Sequence, residues 1–218
     1  MTVQHSAPDF LASRRAMIVN QLRPVGVTDR AVLAAMDIVP RERFVPEEVR
    51  PLAYTDRSLP IGGDRFMTAP EVLGELLTQM APRQGERALV VGAGTGYSAA
   101  VLAAMGCSVS ALECSGELAA RARDLGVPIV EGPLEAGHQA GAPYDLILID
   151  GAVEHLPEAI IAQLTDGGRL GAALIDRGVV RLIIGQKVSG AFGHFSIGDA
   201  GVAALPGFAK PQVFSFER

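Results

Sequence analysis

The chain has 218 residues, of which 49% are hydrophobic and 20% charged, and its net charge is −5. This composition provides ample material for a packed core and excludes a disordered or coiled-coil protein. A pI of about 5.4 and the lack of Lys/Arg clusters predict that nucleic acid is not a partner.

Targeting and redox features of the sequence indicate a cytoplasmic protein. The segment Met1–Pro8 has neither the basic nor the apolar region of a secretion signal. No apolar run approaches the roughly 18 to 20 residues that span a bilayer, so we expect no membrane partner. The two cysteines, Cys107 and Cys114, are too few for a disulfide framework and are predicted to be free thiols.

The first third of the chain is predicted to be helical with one long loop. Apolar residues recur at near-helical intervals from Asp9 to Leu22, and a second helix is expected from Asp29 to Met36, with Thr28 as its N-cap. The dense prolines and glycines from Pro40 to Gly63 predict a loop that crosses the surface.

A third helix is predicted to run from about Pro70 to Met80. Pro70 suits the first turn, Glu71 is favourably placed against the helix dipole, and Thr68 is a candidate N-cap.

From residue 87 onward, short apolar runs alternate with helical stretches, which is typical of βαβ units and a parallel sheet. No comparable helix follows Val179, so the C-terminal strands are expected to be antiparallel at one edge. The predicted strands lie at residues 88–91, 109–112, 127–130, 146–149, 170–175 and 179–188. We expect one α/β domain over 1–218: a helical and loop addition (1–82) on a mostly parallel, doubly wound core (83–218).

A glycine-rich turn joins the first core strand to a helix. Gly92, Gly94 and Gly96 can bend tightly, approach a ligand closely and present the helix N-terminus to it. The spacing is G-x-G-x-G rather than the G-x-G-x-x-G of dinucleotide enzymes, and Tyr97 stands at the third glycine of that pattern. This spacing argues against a pyrophosphate ligand.

Glu113 lies 21 positions beyond Gly92 and one residue past the next predicted strand. A carboxylate there could accept hydrogen bonds from ribose hydroxyls. Together the turn, the helix and Glu113 predict a site for an adenosine-containing cofactor. The candidate cofactor-binding residues are Gly92, Ala93, Gly94, Thr95, Gly96, Tyr97 and Glu113.

The chain resembles the protein L-isoaspartate O-methyltransferases over most of its length. The N-terminal block is the specific part of this likeness, because methyltransferase glycine turns occur in many families. The matching stretches are Met17–Leu22, Val32–Pro46 (VLAAMDIVPRERFVP), Ala53-Tyr54 with Asp56, Leu59–Gly62 (LPIG), Gly94–Ala103, Pro143–Asp145, Gln163-Leu164 and Gly167–Leu170.

The resemblance implies a Rossmann-like methyltransferase fold with S-adenosylmethionine as methyl donor and S-adenosylhomocysteine as product. It also implies that the substrates are isoaspartyl-containing proteins or peptides, repaired by methylation of the isoaspartyl carboxylate. A carboxylate is already ionised near neutral pH, so transfer requires no general base. We expect a monomer or homodimer.

The sequence departs from the family pattern in three places, one of them the acceptor-site stretch. The family's acceptor-site stretch TISQP is here Phe66–Pro70, which puts Thr68 at the serine and Ala69 at the glutamine and makes Thr68 the catalytic candidate. Val90 replaces an acidic residue before the glycines, and Pro133 replaces the aspartate of a GDG motif. We therefore expect weak transfer to isoaspartyl peptides.

Two alternatives remain open from the sequence. Asp150 and Asp176 each end a predicted strand, and two such carboxylates could hold Mg²⁺ for methylation of a small hydroxylated acceptor. The other alternative is a degenerate family member that keeps the fold for a binding role. We assign no metal ligand, and His138, His155 and His194 are not assigned to the site.

Overall fold

Three helices and a β-hairpin form the N-terminal part of the computed structural model, which describes residues 9–210. The elements are α1 (Phe10–Met17), which continues as a π-helical turn (Ile18–Leu22), α2 (Arg30–Ile38), β1 (Leu59–Gly62), β2 (Arg65–Met67) and α3 (Pro70–Met80). The predicted helices are therefore present. Met1–Pro8, on which the expectation of a cytoplasmic protein rests, lies outside the described residues.

Two local predictions in this part are wrong. The N-cap of α2 is Asp29 rather than Thr28, because the Asp29 carboxylate accepts hydrogen bonds from the N–H groups of Ala31 (2.8 Å) and Val32 (3.0 Å). The proline-rich stretch 40–63 is also not only a loop. It contains two 3₁₀ turns, Arg41–Phe44 and Glu47–Leu52, followed by β1.

The remaining elements form an alternating α/β core that ends in strands. They are β3 (Arg87–Val91), α4 (Tyr97–Ala104), β4 (Ser108–Glu113), α5 (Gly116–Asp124), β5 (Ile129–Glu131), β6 (Tyr144–Val153), α6 (Glu158–Ala162), β7 (Leu164–Asp176), β8 (Val179–Val188) and β9 (Ala191–Asp199). All six predicted strands thus appear, β8 with the predicted ends and the others with shifted ends, the largest shifts being in β6 and β7.

The core strands form one sheet in the order β5-β4-β3-β6-β7-β8-β9. The first five are mutually parallel, whereas β8 and β9 pair antiparallel at the edge, as predicted. The chain moves outward from β3 to β4 and β5 and then returns to β6 on the other side of β3. The carboxyl ends of β3 and β6 therefore flank the switch point, where open α/β sheets bind ligands.

Alternating side chains of the central strands divide the interior into two cores. Ala88 and Val90 of β3 face a core shared with the N-terminal helices, α4 and α5. Leu89 and Val91 face a second core, which includes Ile160 of α6 and a C-terminal segment around residue 205. Because both faces are covered, the strands read as continuous apolar runs. Within residues 9–210, no helix is both long and apolar enough to cross a membrane.

Candidate functional site

The glycine turn lies between β3 and α4, at the switch point of the sheet. Gly92, Gly94 and Gly96 have φ angles of +77°, +57° and +95°, which side-chain-bearing residues rarely adopt. The N–H groups of Gly92 and Ala93 both donate to the carbonyl oxygen of Leu112, at 2.9 and 3.0 Å. The backbone conformation of the turn thus requires glycine, and its position is fixed by the neighbouring strand.

The side chains of Thr95 and Tyr97 both contact Phe44 of the N-terminal addition. The Thr95 hydroxyl donates to the carbonyl oxygen of Phe44 at 2.6 Å. The Tyr97 ring is buried and packs edge-on against Phe44, with ring centroids 5.5 Å apart. Both side chains therefore attach the N-terminal addition to the turn.

Glu113 ends β4 beside the turn and is fully buried, not accessible at a strand end as the sequence suggested. Its Oε2 accepts from the N–H of Gly94 at 2.7 Å, and its Oε1 accepts from the N–H groups of Cys114 and Ser115 at 2.9 and 3.0 Å. Burial alone would raise the pKa of this carboxyl. Arg65 and the backbone donors more than offset burial, so the Glu113 pKa lies below its ordinary value.

Arg65 of the hairpin is the charge partner of Glu113. Its Nη1 donates to Glu113 Oε1 at 2.5 Å, and its Nη2 donates to the carbonyl oxygen of Gly92 at 3.0 Å. Sequence reasoning missed this residue. The alternation in β2 could have found it, because Arg65 and Met67 share the buried face of the strand and Phe66 points outward.

Side-chain tips from two segments cover the glycine turn. A Cβ on Gly94 would lie 2.6 Å from Ile61 Cδ1, and a Cβ on Gly92 would lie 2.9 Å from the methyl groups of Leu205. The cleft that remains between the hairpin, β6 and residues 202–205 measures only about 10 Å³. The glycine backbone permits the close approach of a ligand, and the Glu113 carboxylate is an acceptor of the kind that ribose hydroxyls need, but the covering side chains must move before a ligand can enter.

Thr68 lies next to this cleft and does not cap α3, whose N-cap position is Ala69. The Thr68 hydroxyl donates instead to Asp150 Oδ1 at 2.5 Å, and its carbonyl oxygen accepts from Arg41 Nη2 at 2.6 Å. Burial raises the pKa of Asp150, and the Ser98 and Thr68 hydroxyls together with the nearby arginines only partly oppose this. Thr68 is thus fixed through both its side chain and its backbone. Arg41 is a fully buried residue that the sequence did not single out.

Asp150 and Asp176 are too far apart to hold one metal ion. Asp150 lies inside β6, between Leu148, which pairs with Gly171 of β7, and Ala152, which pairs with Ala173. Asp150 is therefore level with residue 172 of β7. Asp176 lies four residues, or about 13 Å, farther along β7. Asp176 pairs with Arg181 at 2.8 Å. Among residues 9–210 there is no group of three or more His, Cys, Asp or Glu side chains that could hold a metal.

Two of the departures from the family pattern, Val90 and Pro133, lie in the α/β core (83–218). Val90 is fully buried in β3. Pro133 precedes a short 3₁₀ turn after β5. Neither side chain offers a polar group to a ligand.

Comparisons with known proteins agree on one family. The model of the protein-L-isoaspartate(D-aspartate) O-methyltransferase family matches residues 13–182. The chain is 41% identical over 175 residues to protein-L-isoaspartate O-methyltransferase 1 of Rhodopseudomonas palustris (strain HaA2), covering 77% of this chain and 71% of the relative. It is 43% identical over 175 residues to protein-L-isoaspartate O-methyltransferase of Methylorubrum extorquens (strain PA1), covering 78% and 77%.

Two solved structures show the same fold. One, a protein-L-isoaspartate O-methyltransferase, superposes with a TM-score of 0.79 at 24% identity and covers 89% of this chain and 66% of that chain. The other, from Plasmodium falciparum, is a complex with S-adenosyl-L-homocysteine. It superposes with a TM-score of 0.77 at 20% identity and covers 88% of this chain and 97% of that chain.

Proposed function

Because the chain belongs to the protein-L-isoaspartate(D-aspartate) O-methyltransferase family, we propose that it methylates the carboxylate of isoaspartyl residues in damaged proteins, with S-adenosylmethionine as donor. The observation that carries this function is the pairing of the glycine turn with the Glu113 carboxylate at the switch point of the sheet. Thr68 and Asp150 lie at the same edge, across the cleft.

The cofactor-binding residues we propose are Gly92, Ala93, Gly94 and Gly96, with the backbone of Thr95 and Tyr97, and Glu113. When bound, the donor supplies a methyl group on a positively charged sulfur, which an ionised carboxylate can attack directly. The protein's contribution is to position the acceptor and keep out water, and no side chain has to remove a proton.

Thr68 is the residue we assign to the acceptor. Because its hydroxyl proton is directed to Asp150 (2.5 Å), its oxygen is left to accept a hydrogen bond, for example from a substrate main-chain N–H. Phe66 also lines the cleft and is 42% exposed, which suits contact with a peptide at the entrance.

The test is methyl transfer to a peptide that contains one isoaspartyl residue, with the same peptide carrying an ordinary aspartyl residue as control. We expect transfer to the isoaspartyl peptide alone and a rate that a chelator leaves unchanged, given the separation of Asp150 and Asp176. Calorimetric titration with S-adenosylhomocysteine should show binding. Binding without transfer to either peptide would point to the degenerate family member, and chelator-sensitive transfer would point to a metal-assisted enzyme.

A further inference from the structure

Arg65 makes contacts in both halves of the proposed site. Its guanidinium donates to Glu113 Oε1 (2.5 Å) and to the carbonyl oxygen of Gly92 (3.0 Å), on the side assigned to the donor. The same side chain lines the small cleft that also contains Thr68 and Asp150. It is therefore placed between the two ligands that the reaction brings together.

In the donor half, Arg65 competes with any ligand that needs Glu113. Oε1 accepts from Arg65, Cys114 and Ser115, whereas Oε2 accepts from the N–H of Gly94 and keeps one lone pair for a further donor. The Arg65 guanidinium bonds this carboxylate and the Gly92 carbonyl oxygen together, so a ribose that approaches Glu113 beside the turn has to displace it.

The covering contacts are of a kind that can be displaced. The atoms nearest Gly92 and Gly94 are the ends of the Ile61, Arg65 and Leu205 side chains, not backbone atoms. The hairpin that carries two of them is a separate two-stranded sheet, with an irregular register between Pro60 and Gly62. Side-chain rotation and a small hairpin movement would expose the turn without breaking the seven-stranded sheet.

In the acceptor half, the cleft has an electrostatic mismatch with a carboxylate substrate. Asp150 and Arg65 are the charged residues that line it. While Arg65 is bonded to Glu113, an incoming carboxylate would meet Asp150, and the described residues that line the cleft offer it no other cation; Arg41, the cation next to Thr68, bonds the Thr68 carbonyl oxygen and does not line the cleft. Pairing with a guanidinium is a strong way to hold a carboxylate, and Arg65 is the lining residue that can supply it.

We propose that Arg65 couples donor binding to acceptor binding: it leaves Glu113 when the donor binds and turns into the cleft, where it pairs with the substrate carboxylate. This coupling rests on the proposed function. Because the arginine cannot hold Glu113 and the acceptor at once, donor-free protein has low affinity for the acceptor. Binding is therefore ordered, with the donor first.

The test compares wild type with Arg65→Gln by calorimetry, using S-adenosylhomocysteine and then an isoaspartyl peptide in its presence. Loss of the competing guanidinium should tighten S-adenosylhomocysteine binding by about tenfold or more. In the wild type, the apparent affinity is lowered because most of the protein has Arg65 bonded to Glu113 and cannot bind the ligand. Loss of the carboxylate partner should weaken peptide binding to the S-adenosylhomocysteine complex by about 10- to 100-fold. A purely structural role for Arg65 would weaken both.

Two further variants complete the design. Arg57→Gln, an exposed residue of the segment before the hairpin, is the matched control and should change neither affinity. Arg65→Lys keeps the charge but lacks the forked guanidinium that bonds Glu113 and the Gly92 carbonyl oxygen at the same time. The affinities for S-adenosylhomocysteine and for the peptide should therefore lie between those of wild type and Arg65→Gln. This variant also serves if Arg65→Gln does not fold.

The outcomes separate the coupling from the proposed function. If wild type binds S-adenosylhomocysteine but Arg65→Gln binds it equally or more weakly, the coupling is wrong and the function stands. Tighter donor binding with unchanged peptide affinity would overturn the acceptor half of the proposal. If wild type does not bind S-adenosylhomocysteine at all, the proposed function fails and the coupling fails with it.

Discussion

Replacing Glu113 by Ala should strongly destabilise the fold, not only weaken cofactor binding. The carboxylate is fully buried and accepts from the Arg65 guanidinium and from three backbone N–H groups. Its loss leaves a buried cation without a partner. Removing one member of a buried ion pair costs about 3–5 kcal/mol, a large share of the 5–15 kcal/mol that is typical of a folded domain.

Glu131 provides a matched control on the neighbouring strand. It pairs in register with Glu113 across β4 and β5, and its carboxylate bonds Arg123 at 2.7 Å. The Arg123 and Glu131 side chains are 45% and 47% exposed, so Glu131→Ala should cost no more than about 1 kcal/mol. The two variants thus differ in the burial of the ion pair and in the three backbone N–H groups that bond Glu113.

The assay is urea unfolding followed by far-UV circular dichroism, with thermal melts in parallel. For a chain of this size, a loss of 3–5 kcal/mol corresponds to a fall in Tm of about 6–20 °C. The double variant Glu113→Ala/Arg65→Met should recover part of the loss, because no buried charge remains unpaired. A Glu113→Ala loss below about 1 kcal/mol, or equal to that of Glu131→Ala, would refute the reasoning.

Three other substitutions give distinct expected outcomes. Gly94→Val should abolish S-adenosylhomocysteine binding, because φ is +57° and a Cβ would lie 2.6 Å from a hairpin side chain; normal binding in calorimetry would show that the turn is purely structural. Thr68→Val should lower kcat and cost about 1–3 kcal/mol by leaving Asp150 without its hydroxyl donor, with S-adenosylhomocysteine affinity unchanged. Thr68→Ser should retain both kcat and stability, and equal losses in the two variants would contradict this role. The hydrogen bond to Asp56 and burial raise the pKa of Glu71 from 4.5 to about 7, so folding takes up a proton at this group and its contribution to stability falls as pH rises from 4.5 to 7. Glu71→Gln should flatten that slope in melts across this range, and an unchanged slope would contradict the assignment.

Local sequence patterns determined the order of elements and the position of the glycine turn. Alternating apolar runs predicted the parallel sheet, because a strand buried on both faces is apolar throughout. The glycine turn was predictable because positive φ angles at Gly92, Gly94 and Gly96 limit these positions to glycine. Glu113 could be placed at the end of the next strand from spacing alone.

Only the tertiary structure decided what those residues contact. Thr68 reads as a helix cap in sequence, but its hydroxyl bonds Asp150, 82 positions away. Glu113 reads as an accessible carboxylate, but Arg65, 48 positions earlier, buries and neutralises it. Asp150 and Asp176 both lie at the carboxyl-end side of adjacent strands, yet the register separates them. Periodicity and spacing report the conformation of a segment, whereas burial and ion pairing depend on which distant segment packs against it.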